Sequence, residues 1–354
     1  MQLTVEPFTV TKRFPLRISR GITAQNTNLW LRLSADGITG WGEITPFSII
    51  QGRKKDTNQL LAEIHSIQPI LESFHPLDRQ EIGGLLSLRQ VSSAVCAGID
   101  LALLDWLGKR TNLPLWQLWG LKASNLVPIS VTVGIDTPEE AATRVKNWVS
   151  VFQPTIIKIK LGNLLGIEAD QAMFLAVRQA VPSLELTVDA NGGWSIDEAI
   201  AMSHWLNDYG VTYLEQPLAA SDEKNFERLY RRSPLPIFAD ESCKTSQDIT
   251  RLAGYVHGIN IKLMKAGGLS EAKRMVQVAK ALGLKIMFGC YSDSSLANTA
   301  ICHLAPWADY LDLDSHLNLI DDPFVGVRYD QGRLHLNNLP GLGVTSRPER
   351  VTNE

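Results

Sequence analysis

Ile156-Ile157-Lys158-Ile159-Lys160-Leu161-Gly162 has the composition of a strand enclosed on both faces, yet two lysines stand in it at i and i+2. Side chains alternate along a strand, so both ammonium groups point to one side. Anions or a ligand must meet them there, because an unpaired buried charge is too costly to keep. Seven further apolar runs share this texture from about Pro128 onward: VPISVTVGI before it, then LELTVDANG, VTYLEQPL, LPIFADES, GINIKLMK, LKIMFGC and YLDLDSH. Helix-like segments lie between them, among them Ser195-Ile196-Asp197-Glu198-Ala199, where Ser195 can cap the start, and Ser270-Glu271-Ala272-Lys273-Arg274. Eight strand-helix alternations predict an α/β fold, a parallel (β/α)8 barrel, which closes without leaving an edge.

The polar residues keep the phase of that barrel. Lys160, Asp189, Glu215, Asp240 and Lys262 lie at or near the C-terminal ends of runs two to six, spaced by 29, 26, 25 and 22 residues. Each gap is one strand-helix unit, and active sites of such barrels occupy that end. Ahead of the barrel, residues 29–33 and 38–41 flank the hairpin signal Ala35-Asp36-Gly37, while Val95, Ile99, Leu103 and Trp106 recur at helical spacing. The expected organisation is an α+β capping domain over residues 1–125, the barrel over 126–320 and a C-terminal segment over 321–354.

Composition narrows the partners. A net charge of -3 without a long Lys/Arg run recommends neither nucleic acid nor a membrane surface, and leaves a small molecule. Cys96, Cys243, Cys290 and Cys302 are scattered without zinc-like or disulfide-like spacing, which suits a reducing compartment. The N-terminus alternates like a strand and lacks the features of a secretion signal, and no apolar run approaches the roughly 20 residues of a membrane span. A cytoplasmic protein is expected. No Gly-x-Gly-x-x-Gly follows a strand, so hydride transfer has little support.

Asp189, Glu215 and Asp240 come from three consecutive strands, so their carboxylates should converge. Three buried anions repel one another unless a cation compensates them. All-oxygen ligation points to a hard divalent ion, Mg2+ first. For any one of these acids alone, capping a helix or pairing with a lysine is an equally good reading. Runs two and six are four strands apart, which puts Lys160 and Lys262 on opposite walls of the site. A lysine serves as a base only if its pKa falls from about 10.4 toward about 7–8, and burial, a dication and a second ammonium all push that way. Such a site suits a chelated carboxylate whose α-proton is lost to give an enediolate, with one lysine removing the proton and the other returning one to the opposite face. Lys158, on the face of Lys160, would stand nearer the metal-bound group; taken alone, it reads better as the partner of a carboxylate.

Several motifs carry a resemblance. Lys158-x-Lys160, Asp189-Ala190-Asn191, Glu215-Gln216-Pro217, Ala239-Asp240-Glu241-Ser242 and the run from Asn260 to Gly268 together resemble the muconate-lactonizing subgroup of the enolase superfamily. The likeness covers essentially the whole chain, including Gly40-Trp41-Gly42-Glu43 in the cap and Gly341-Leu342-Gly343 in a tail that, in the family, returns to complete the cap. It implies Mg2+ on Asp189, Glu215 and Asp240, catalytic bases at Lys160 and Lys262, and enediolate stabilisation by Lys158. The subgroup hosts cycloisomerisation, o-succinylbenzoate synthesis, N-acylamino-acid racemisation and dipeptide epimerisation.

Asp312 and Asp314, sharing a strand face by the period of two, match the Asp-x-Asp with which the family's dipeptide epimerases hold a free α-ammonium group. Arg20 lies in the loop that covers the site in the family, where a matching arginine binds the glutamate side chain of Ala-Glu substrates; Arg17 competes for that role. Thr132 matches a threonine near the substrate carboxylate. The resemblance therefore implies a Mg2+-dependent dipeptide epimerase of the L-Ala-D/L-Glu type, acting in murein peptide recycling. Its partner is a small-molecule dipeptide, with homo-oligomerisation left open. The alternative is an o-succinylbenzoate synthase or N-acylamino-acid racemase on the same frame. Gly289-Cys290-Tyr291-Ser292-Asp293 departs from the family's usual wording, and the largely uncharged loop 47–52 does not settle specificity.

Overall fold

The computed structural model describes residues 1–19, 21–47 and 55–348. Strands β1 (Gln2–Ile18), β2 (Gly21–Ala35) and β3 (Ile38–Ile44) form an antiparallel sheet. Asp36 and Gly37 join β2 to β3 with φ of 53° and 74°, the two-residue turn whose twist matches the strands it connects. Helices α1 (Thr57–Leu71), α2 (Arg79–Leu88) and α3 (Ser93–Thr111) follow. In β3, Gly40 and Gly42 let the α3 backbone lie directly on the sheet: a Cβ at either would stand 2.0 Å from a carbonyl oxygen of Ala102 or Gly98. Trp41, between them, packs edge-on against Trp30.

Eight parallel strands then run in chain order: β4 (Ser130–Val133), β5 (Ile156–Lys160), β6 (Glu185–Asp189), β7 (Val211–Glu215), β8 (Ile237–Ala239), β9 (Gly258–Lys262), β10 (Lys285–Gly289) and β11 (Tyr310–Asp312). A parallel bridge from Ile129 to Leu311 joins the last strand to the first, so the sheet closes into a barrel. Among the intervening helices, the one expected to start at Ser195 does so. Thr137 caps the helix Pro138–Phe152, and Ser195 forms a reciprocal capping box with Glu198 on Ile196–Asp208. The barrel floor is filled by Tyr213, Phe238 and Met287, with Tyr310 against them, so the interior is packed below the strand ends.

Cap and barrel share a wide seam. β1 shifts register after Thr11 but stays paired with β2 through Ile18, and within that shift Lys12 bridges Leu319 at the end of the barrel. The C-terminal segment comes back to α3, where Gly341 N donates to Leu113 O, Gly341 O accepts from Leu115 N, and Leu342 N donates to Asp105. Phe324, from the same segment, completes an aromatic cluster with Phe8, Trp30 and Trp41.

Candidate active site

Strand register sets the height of each polar group. Lys160 pairs with Asp189 and Asp189 with Glu215 across β5, β6 and β7. On the opposite arc Lys262 pairs with Gly289 and Gly289 with Asp312 across β9, β10 and β11. Both trios lie at the C-terminal rim, with β5 and β9 four strands apart. Gly289 has to be small: a Cβ there would meet the Asn260 amide at 2.6 Å and Lys262 Cε at 3.0 Å.

Asp189, Glu215 and Asp240 offer oxygens that all lie within 4.8 Å of one another, each side chain buried. Lysines surround them. Lys160 pairs with Asp189. Lys262 Nζ lies 2.8 Å from Asp240 Oδ2. Lys265 Nζ lies 2.5 Å from Asp240 Oδ1 and also donates to the carbonyls of Asp240 and Asn260. Asn260 Nδ2 donates to Glu215 Oε1 at 2.8 Å. Sequence reasoning did not single out Lys265 or Asn260, although both stand in the run that contains Lys262.

Lys158 lies one step deeper and is fully enclosed. Its ammonium hydrogen-bonds Glu215 and Asp312 at 2.6 Å each and lies 3.2 Å from Asp189, so three carboxylates surround it.

These charges perturb one another. Burial raises Glu215 to about 8, with Asp189 adding to the rise. Burial pushes Asp189 up as well, but Lys160 and Lys158 outweigh it and hold that acid low. Asp240 is held low against burial by Lys262 and Lys265. For Lys262 the sequence led us to expect a depressed pKa. Burial is the largest single influence and pulls it down, yet Asp240, with Tyr291 and Glu215 adding to it, leaves it well above the ordinary value. The reason is that the prospective metal ligands are themselves the anions that stabilise the ammonium. A dication on those ligands would compete for them. A buried, all-oxygen carboxylate set with one member driven toward neutrality fits a hard divalent cation.

Above the carboxylates, Lys160, Lys262, Thr132, Asp312 and Asp314 line a small cavity of about 50 Å³ with Leu16 and Tyr291. A second, contiguous space adds Ile18, Pro46 and Phe47. Strand β11 ends at Asp312; Asp314 opens a short 3-10 turn and reaches the cavity from there, not by strand alternation. Asp312 accepts from Ser130 Oγ at 3.0 Å, and Asp314 from Thr132 N at 2.7 Å. Burial raises Asp314 to about 6, helped by the charge of Asp312. Lys12, buried on β1, also lines this cavity. Arg17 is exposed and contributes its carbonyl to Ile135 N at 2.8 Å. Arg20 and residues 48–52 lie outside the described residues.

A capped (β/α)8 barrel with buried carboxylates ringed by opposed lysines has the donor set to hold a divalent cation beside groups able to move a proton. The sequence places it in a family. Residues 1–120 match the mandelate racemase/muconate lactonizing enzyme N-terminal domain and residues 139–350 the enolase C-terminal domain-like family, so the chain belongs to this branch of the enolase superfamily and is an isomerase. It is 38% identical to a hydrophobic dipeptide epimerase of a Flavobacteria bacterium (strain MS024-2A), over 99% of both chains. It is 35% identical to the L-Ala-D/L-Glu epimerase of Escherichia coli (strain K12), over 91% of this chain and 95% of that one. Among solved structures, dipeptide epimerase from Enterococcus faecalis V583, complexed with Mg and the dipeptide L-Leu-L-Tyr, superposes with a TM-score of 0.90 at 30% identity, covering 98% of this chain and 99% of that one.

Proposed function

We propose that the protein is a Mg2+-dependent dipeptide epimerase inverting the α-carbon of the C-terminal residue. The observation that carries this reading is the placement of Lys160 and Lys262 on opposite arcs of the rim, with the three carboxylates between them. Asp189, Glu215 and Asp240 would hold the ion, which supplies positive charge that acidifies the α-proton of a bound carboxylate. Neutral Lys160 Nζ takes the α-proton from one face; the Lys262 ammonium returns a proton to the other. The reverse direction exchanges the roles. Lys158 keeps positive charge beside the developing anion while holding Glu215, Asp189 and Asp312 in place. Asp312 and Asp314 receive the free ammonium of the dipeptide, and Thr132, through its N–H, fixes Asp314 for that task.

The side chain accepted is a separate matter. An L-Ala-D/L-Glu preference, with a role in murein peptide recycling, rests on Arg20 meeting the glutamate carboxylate. An apolar side chain is favoured by Leu16, Ile18, Pro46 and Phe47 in the cavity wall and by the hydrophobic dipeptide epimerases among the relatives. Exchange of the α-proton in D2O, followed by proton NMR with Mg2+ present, tests both levels. L-Ala-L-Glu and L-Ala-L-Leu should exchange and invert. A protein that exchanges only N-acylated amino acids, or that converts only an o-succinylbenzoate precursor, is not a dipeptide epimerase.

A further inference from the structure

The two lysines at the rim are held differently. Lys160 has Asp189 as its ion-pair partner, and among the described residues no aromatic ring lies over it. Lys262 is gripped from two sides: Asp240 Oδ2 at 2.8 Å, and the ring of Tyr291, whose centroid lies 4.8 Å from Nζ. That distance is within the range over which a ring face attracts an ammonium, and the attraction grows when both are out of water.

Tyr291 is itself fixed. Its ring stacks on Phe47 with centroids 4.6 Å apart and planes 21° apart. Its N–H donates to Asp293 Oδ2 at 3.1 Å. The next residues are tied to the cap, since Ser292 O accepts from Asn28 Nδ2 at 2.9 Å and Ser294 donates through both N and Oγ to Glu43. Glu43 also accepts from Asn28, Thr45 and Ala297 N, so both its oxygens are engaged by donors. The wall bearing Tyr291 is thus a barrel loop anchored on the cap.

We propose that Tyr291 is a positioning residue for Lys262: its ring, locked by Phe47 and by the Glu43 anchor, holds that ammonium at one face of the reacting carbon and governs proton transfer on that face alone. This rests on the reading of Lys160 and Lys262 as the two bases. It also gives a use to a segment that departs from the family's usual wording.

The test exploits the two faces. Proton NMR in D2O with Mg2+ follows each epimer of L-Ala-Glu and of L-Ala-Leu, and scores exchange with retention separately from inversion. Lys262→Met first identifies the epimer that presents its α-proton to Lys160, because that epimer still exchanges without inverting. On it, Tyr291→Leu should leave exchange within about threefold of the unmodified protein while inversion falls about tenfold or more. On the opposite epimer, both should fall about tenfold. Tyr291→Phe, which keeps the ring, should recover most of the inversion. Tyr291→Met, a second ring deletion, must repeat the asymmetry. Equal loss on both epimers in both ring deletions, unimpaired inversion in either, or a phenylalanine variant as slow as leucine overturns the inference. Failure of the unmodified protein to exchange any of these dipeptides overturns the dipeptide reading, and that result is read before any Tyr291 variant is made.

Discussion

The cap carboxylates that grip barrel helices and the carboxylates at the barrel rim are all buried, but they are satisfied by different chemistry. In the cap, Glu43 accepts from amide and hydroxyl groups around Ser294 and Ala297, and Asp100 accepts from Ser270 N at 2.9 Å and Ser270 Oγ at 2.5 Å. Both acids thereby sit at the first turns of barrel helices, Ser295–Cys302 and Leu269–Ala281, where N–H groups and the helix dipole favour an anion. In the barrel, Asp189, Asp240 and Asp312 meet ammonium groups instead. The consequence is opposite in sign. Burial wins for Glu43, raised to about 7, and for Asp100, also raised. Lysines win over burial for Asp189, Asp240 and Asp312, which are held low. Dipoles make a permanent adhesive between domains. Cations make an arrangement that another cation can rearrange.

The sharpest way to break this contrast is Lys158→Met. Removing the ammonium shared by Glu215, Asp312 and Asp189 leaves buried anions short of a partner, and unfolding free energy should fall by roughly 3–5 kcal/mol in Mg2+-free buffer. Added Mg2+ should recover part of that loss. Urea titrations with and without Mg2+ measure both, and an unchanged midpoint without Mg2+ would show that the barrel carboxylates do not depend on this lysine.

Asp314 tests the barrel more gently. With its carboxyl raised to about 6, it is neutral below that pH and charged above it. KM for a dipeptide with a free ammonium should therefore climb as pH falls through about 6, while an N-acylated substrate shows no such rise. Asp314→Asn should raise the dipeptide KM about tenfold and flatten that limb. Initial rates from pH 5 upward decide it.

Glu43→Gln carries the smallest effect, about 1–2 kcal/mol of stability from disturbed cap contacts. Its pH signature is more telling. Because folding raises Glu43 from 4.5 to about 7, its stabilisation is complete below the lower value and is lost as pH rises through the higher. The unmodified protein should thus lose stability relative to Glu43→Gln across that window. Parallel stability curves would place the ionisation elsewhere.

Much of this was readable along the chain. The lysine pair in β5 and the acids that end β6 and β7 announced themselves because a strand-end charge interrupts an apolar run, and the 22 to 29 residue gaps between such charges are one strand-helix unit. Asp314 faces the same cavity as Asp312, as the sequence led us to expect, but from a turn and not by alternation, since β11 stops at Asp312. Lys265 was hidden in a one-turn helix whose direction no period reveals.

What the sequence determined by itself was the kind of chemistry, because charged residues that interrupt buried strands are legible one at a time from local pattern. Which lysine faces which carboxylate, that Asp240 raises Lys262, and that Glu43 anchors a wall from another domain were decided only by tertiary structure. Those outcomes depend on distances between residues up to 254 positions apart, such as Glu43 and Ala297, and no local pattern encodes them.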